Sequence, residues 1–235
     1  MMNSSPRIIV ALDCDSQQKA LQLADSMDPS LCALKVGSEL FTLAGAALVR
    51  QLIAKGFKIF LDLKFHDIPN TVAHACAAAA ELGVWMINVH ASGGLAMMQA
   101  AKKALEPFGA QRPLLIAVTV LTSLDSQDLI SLGVARPLLQ QVESLALLAK
   151  EAKLDGVVSS AQEVEAIKAV CGPDFIVVTP GIRYTMSDKN DQKRDISPES
   201  AIMRGSDFLV IGRPITQAED PALVLTQIHG KISLL

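Results

Sequence analysis

Eight short apolar runs, the helix-spaced stretches that separate them and a length of 235 residues together predict a single-domain α/β protein, a (β/α)8 TIM barrel. The runs cover 7–13, 33–37, 58–65, 86–91, 114–121, 156–160, 175–181 and 208–215, each bounded by Gly, Pro or polar residues as buried strands are. Between them, 16–27, 39–54, 71–82, 95–105, 138–153 and 161–170 repeat apolar residues at helical spacing. Half of the residues are hydrophobic, which suits strands covered on both faces. An open doubly wound sheet is the rival architecture. It asks for fewer strands and a glycine turn after the first, whereas that turn reads Asp13-Cys14-Asp15-Ser16. The whole chain, 1–235, is read as one domain, with the polar segment around 182–197 as a flexible lid.

Composition narrows the function before any motif does. A formal net charge of −3 leaves no electrostatic footprint for nucleic acid, and no basic run suggests a membrane surface. No segment has the apolar length of a spanning helix, and residues 1–7 lack the character of a signal peptide, so a cytoplasmic location is expected. Cys14, Cys32, Cys76 and Cys171 are scattered without a Cys-x-x-Cys pair, and buried free thiols are the expectation.

In a barrel, reactive groups sit at the carboxyl ends of the strands. The first strand ends at Asp13, the second carries Lys35, and the third reads Asp62-Leu63-Lys64-Phe65-His66-Asp67. Charged residues inside apolar strands are costly unless paired. Asp62 and Lys64 are two apart, so strand alternation sends both to one face and Leu61, Leu63 and Phe65 to the other. Asp67 follows where the strand turns out into a loop. An ion-pair layer that merely plugs the barrel explains one such pair more easily than it explains two lysines and three aspartates at successive strand ends. A lysine held among carboxylates stays cationic, and in a dry mouth it can stabilise a developing carbanion and then protonate it.

The seventh strand runs into Pro180-Gly181-Ile182-Arg183 and the eighth into Ile211-Gly212-Arg213-Pro214. Loops at these two places form a frequent phosphate site, with glycine admitting the anion to the backbone and arginine supplying a fork of donors. Gln192, in the polar segment, is placed to add a hydrogen bond when the lid closes. His66 and His90 lie near carboxylates, but no metal-ligand spacing accompanies them, and both are read as packing or supporting residues. Met97, Met98 and Trp85 are read as core or helix-surface residues.

These residues carry a resemblance. Asp62-Leu63-Lys64-Phe65-His66-Asp67-Ile68-Pro69-Asn70-Thr71 is similar to the signature of the orotidine 5′-phosphate decarboxylase family. Ala11-Leu12-Asp13, Leu34-Lys35-Val36-Gly37, Val118-Thr119-Val120-Leu121-Thr122-Ser123 and Asp191-Gln192-Lys193-Arg194 extend it over nearly the whole chain, together with the two arginine turns. The resemblance implies decarboxylation of orotidine 5′-monophosphate to uridine 5′-monophosphate, the last step of de novo pyrimidine synthesis, with no cofactor and no metal. It implies that Lys64 protonates C6 and that Asp62 faces the departing carboxylate. Asp13 and Lys35 would hold the ribose, Thr122 the pyrimidine, and Arg183, Gln192, Gly212 and Arg213 the phosphate. It further implies a homodimer with shared sites, in which Asp67 and Thr71 enter the partner's pocket. The Asp-x-Lys-x-x-Asp core alone is shared with metal-dependent decarboxylases and aldolases that act on sugar phosphates on the same barrel, and this is the alternative activity.

Overall fold

The computed structural model describes residues 6–183 and 196–235. Eight parallel strands close on themselves in sequence order: β1 (Ile8–Ala11), β2 (Cys32–Gly37), β3 (Ile59–Phe65), β4 (Met86–His90), β5 (Leu114–Val118), β6 (Gly156–Val158), β7 (Ile176–Thr179) and β8 (Phe208–Ile211). The ring closes where Ile8, Ile9 and Val10 pair with Leu209, Val210 and Ile211. Around it lie α1 (Gln17–Asp25), α2 (Ser38–Ala54), α3 (Pro69–Glu81), α4 (Leu95–Ala104), α5 (Ser126–Ser131), α6 (Leu138–Glu151), α7 (Val164–Cys171), α8 (Pro198–Met203), α9 (Arg213–Thr216) and α10 (Pro221–Ile232). The expected (β/α)8 barrel is therefore the architecture found.

All eight strands fall inside the expected runs or within one residue of them, but most end sooner. The largest correction is in the eighth run: 212–215 is not strand, because Gly212 leaves the ladder and Arg213–Thr216 turns into helix. Similarly β5 stops at Val118 and β7 at Thr179, so the residues beyond them form the rim. Helices α5, α8 and α9 have at most six residues, too few for an apolar period to show. Local chemistry starts them instead. Asp125 and Asp128 form a reciprocal capping box on α5, and Ser197 caps α8 ahead of Pro198.

Strand alternation sorts the core into two layers. Ile9, Ala11, Ala33, Phe60, Met86, Ile116, Val178 and Val210 fill the barrel interior. Their sequence neighbours Ile8, Val10, Leu34, Leu61, Ile87, Ala117, Val177 and Leu209 face outward under the helices. Met97 and Met98 of α4 belong to this outer core, as expected. Trp85 and Phe208 pack against the interior layer with their rings edge-on, centroids 5.1 Å apart. Lys58 Nζ lies 5.7 Å from the Trp85 ring centre.

Two aspartates brace the amino-terminal ends of the strands in the same manner. Asp155, just before β6, accepts the Leu115 N–H of β5 at 2.8 Å and takes both Arg112 guanidinium nitrogens at 2.7 Å, with Lys102 Nζ at 3.2 Å. Asp207, just before β8, accepts the Val177 N–H of β7 at 2.7 Å and Lys168 Nζ at 2.8 Å. Each carboxylate thereby completes a ladder at its open end and neutralises its own charge. Cys32, Cys76 and Cys171 are buried free thiols, with burial pushing the first two up to about 12. Cys14 departs from expectation, being only half-buried next to the mouth.

Candidate active site

A cavity of about 300 Å³ opens at the carboxyl-terminal end of the barrel. Phe60 and Val210, the last apolar inward residues of their strands, contribute to its lining along with Ala11, Val118 and Val158. Above them the inward positions turn polar. Asp13, Lys35, Asp62, Lys64, Thr122, Arg183, Gly212 and Arg213 all line this cavity, so eight of the eleven residues singled out from sequence meet in one place.

Four of them form a row of alternating charge. Asp13 Oδ1 lies 3.1 Å from Lys35 Nζ, Lys35 Nζ lies 3.4 Å from Asp62 Oδ2, and Asp62 Oδ1 lies 2.8 Å from Lys64 Nζ. The row runs from exposed to buried and back: the side chains of Asp13, Asp62 and Lys64 are 65%, 11% and 36% exposed. Burial by itself would raise the Asp62 carboxyl, but Lys35, Lys64 and the Asn88 amide outweigh it and hold the group below the usual carboxylate range. Asp62 is thus ionised at neutral pH, and two ammonium groups share it. Gly37 keeps room for this arrangement, since a Cβ there would stand 3.2 Å from Lys35 Nζ.

Asp62 and Lys64 share the cavity face, as alternation expects, but the strand between Leu61 and Phe65 is not regular. The β3–β4 register jumps from Leu61 opposite Ile87 to Phe65 opposite Val89, so four steps along β3 match two along β4. Within this bulge Lys64 has φ +52°, a left-handed backbone that side-chain-bearing residues rarely adopt. Strain of this kind costs about 1–3 kcal/mol and collects at functional sites.

Asn88, on the inward face of β4, is fully buried and occupies the gap in the ladder. Its Oδ1 accepts the Lys64 backbone N–H at 2.8 Å, and its Nδ2 donates to Asp62 Oδ1 at 2.7 Å. Sequence reasoning missed it. The signal was present, since an amide inside the apolar run Met86-Ile87-Asn88-Val89 is as conspicuous as a charge would be.

Asp67 and Thr71 do not reach this cavity. Both are exposed, on the turn after β3 and in the first turn of α3, where Asp67 Oδ1 accepts the Ile68 N–H at 2.6 Å and Ile68 itself is 66% exposed. Gln192, and most of the expected lid at 182–197, lie outside the described residues. His66 and His90 stand with ring centres 5.5 Å apart, and burial, His66 and Lys64 hold the His90 imidazole below its ordinary value. Among the described residues no group of three or more His, Cys, Asp or Glu is disposed to hold a metal ion, and no helix is long and apolar enough to cross a membrane.

After β7, Gly181 adopts φ +79°, the conformation that lets the chain turn sharply toward Arg183. Gly212 precedes α9, and a Cβ on it would point at Ala11 and Asp13, along the cavity wall. Two guanidinium side chains and two glycine turns thus converge on the mouth beside the row of charge.

Known proteins resemble this chain over nearly its whole length. The family model described as Orotidine 5′-phosphate decarboxylase / HUMPS family matches residues 6–228. The orotidine 5′-phosphate decarboxylase of Legionella pneumophila (strain Paris) is 62% identical over 222 residues, covering 94% of this chain and 97% of that protein. That of Shewanella sediminis (strain HAW-EB3) is 58% identical over 233 residues, 99% of each. Among solved structures, orotidine 5′-phosphate decarboxylase from Lactobacillus acidophilus superposes with a TM-score of 0.86 at 40% identity, covering 97% of this chain and 99% of that one.

Proposed function

The chain belongs to the orotidine 5′-phosphate decarboxylase / HUMPS family, and on that premise we propose that it decarboxylates orotidine 5′-monophosphate to uridine 5′-monophosphate without a cofactor. The observation that carries this reading is the row Asp13–Lys35–Asp62–Lys64 in a cavity that also holds Arg183 and Arg213. A phosphorylated nucleoside needs an anion grip at one end and, at the other, a cation where negative charge develops.

The bond between C6 and the carboxylate breaks, carbon dioxide leaves, and the electron pair stays on C6. Lys64 Nζ stabilises that charge and delivers its proton to C6, then recovers one from water. Asp62 faces the leaving carboxylate and orients Lys64. Asp13 and Lys35 hold the ribose hydroxyls, and Thr122 contacts the pyrimidine. Arg183, Gln192, Gly212 and Arg213 bind the phosphate, and closure of the 182–197 segment converts that remote binding energy into organisation of the reacting end.

Asp67 and Thr71 fit the reading if the working unit is a homodimer, in the cytoplasm, whose partner inserts both residues into this cavity. Their exposure beside Ile68 supports this. Mixing Lys64→Ala with Asp67→Ala chains under exchange should restore activity, because one of the two sites in each mixed dimer keeps both groups. No recovery would put Asp67 in its own subunit's site.

The reaction is tested by the fall in absorbance when orotidine 5′-monophosphate is mixed with the protein in excess EDTA. Full turnover is the expected result. Turnover abolished by chelator and restored by a divalent cation would transfer the chain to the metal-dependent branch of this barrel group.

A further inference from the structure

The geometry points to Asn88 as a positioning residue of the decarboxylation site, one amide that fixes both the kinked backbone of Lys64 and the carboxylate that Lys64 engages. This rests on the reaction proposed above and deepens it. Asn88 does not line the cavity, so its influence on the reacting atoms passes through the two residues it holds.

The register jump leaves the Lys64 N–H without a place in the β3–β4 ladder, and Asn88 Oδ1 takes it at 2.8 Å. The same side chain donates from Nδ2 to Asp62 Oδ1 at 2.7 Å, the oxygen that also receives Lys64 Nζ at 2.8 Å. A closed circuit results: Asn88 amide, Asp62 carboxylate, Lys64 ammonium, Lys64 backbone, and back to Asn88. Only an acceptor and a donor on one short, rigid, uncharged group complete it. Aspartate supplies both only when protonated. Leucine supplies neither.

The circuit decides where Lys64 Nζ can be. The left-handed backbone at φ +52° redirects the side chain at the rim, and the bond from Asn88 holds that conformation in place. With the Asn88 donor removed, Asp62 Oδ1 is left to Lys64 alone and the carboxylate is free to rotate about its remaining partners, Lys35 and Lys64. Displacement of a reacting group by an ångström costs about 10²-fold in rate while leaving binding of the remote phosphate alone.

The charged and titratable groups around this position are Asp62 and Lys64 of β3, His66 just after it, Lys35 of β2, Asp13 after β1, and His90 of β4. A carboxyl introduced by Asn88→Asp meets Asp62 first. Protonated, it reproduces the amide's donor and acceptor; ionised, it loses the donor and repels Asp62.

Three measurements on the full-length protein test the assignment: steady-state kinetics on orotidine 5′-monophosphate from pH 5.5 to 8.5, the Kd of uridine 5′-monophosphate, and the melting temperature. For Asn88→Ala, kcat should fall about 10–100-fold at every pH, with KM and the nucleotide Kd within about threefold of wild type. For Asn88→Asp, kcat relative to wild type should be about tenfold higher at pH 5.5 than at pH 8.5. A merely structural asparagine would not produce that pH signature. Wild-type kcat in Asn88→Ala, or an Asn88→Asp profile parallel to wild type, overturns the assignment. So does joint loss of nucleotide binding and melting temperature in both variants. A wild-type protein without turnover would sink the proposed reaction itself, whereas wild-type turnover with unaffected variants sinks only the role of Asn88.

Discussion

The two ends of this barrel both carry aspartates paired with cations, and they use them differently. At the amino-terminal end Asp155 gathers Arg112, Lys102 and a strand N–H onto one carboxylate, and Asp207 does the same with Lys168 and Val177. Each set closes on itself and joins two strands. At the carboxyl-terminal end the charges run in an open row, where Lys35 is shared between Asp13 and Asp62, and Asp62 between Lys35 and Lys64. The row ends on an ammonium bordering a cavity, on a strained backbone. Aspartates paired with cations thus brace the fold at one end and line a cavity at the other. What separates them is that each brace ties two strands together, whereas the row borders an open cavity.

Three substitutions sharpen or break this contrast. Lys64→Ala should have the largest effect, lowering kcat by about 10⁴-fold or beyond as the proton donor and the carbanion's counter-charge are lost together. Its melting temperature should barely move, because Asp62 keeps Lys35 and Asn88. A variant that unfolds but turns over normally when folded would make the mouth a second brace. Next, Arg213→Ala should raise KM about 10–100-fold, the worth of a charge-assisted hydrogen bond to phosphate, and lower kcat too if phosphate binding drives closure. An unchanged kcat/KM would show that the phosphate grip lies elsewhere.

The third tests the brace. Burial would raise the Asp155 carboxyl, but Arg112, the Leu115 N–H and Lys102 hold it below its ordinary 3.8. A carboxyl depressed in the folded state stabilises the fold above the ordinary value, and that contribution is lost as pH falls through the lower one. Asp155→Asn should therefore cost about 2 kcal/mol at neutral pH, or roughly 4–8 °C in melting temperature. It should also flatten the decline in stability below about pH 4, with kcat/KM unchanged. Differential scanning calorimetry across pH 2.5–7 reads both effects. A kinetic defect in this variant would mean that the two ends are coupled.

Much of the fold was legible because strand burial in a parallel barrel writes itself as short apolar runs, and all eight were found. The ends of β5, β7 and β8 were not, because rim residues such as Val120 and Ile215 are buried without being strand. Short helices α5, α8 and α9 rest on capping, which an apolar period does not register. In the site, charge inside apolar strands singled out Asp13, Lys35, Asp62 and Lys64. Asn88 stands out in its strand only as a polar residue, and its two bonds across the ladder are not written in any local pattern.

By itself the sequence determined the closed order of strands and the chemistry at their carboxyl ends, since hydrophobic period and residue type are properties of the chain read locally. Only the tertiary structure decided how Lys64 is aimed. Its left-handed backbone is held by an amide 24 residues away, and no local preference favours that conformation for a lysine. Partners brought together across a ladder can sustain a backbone that neighbours in sequence would not choose.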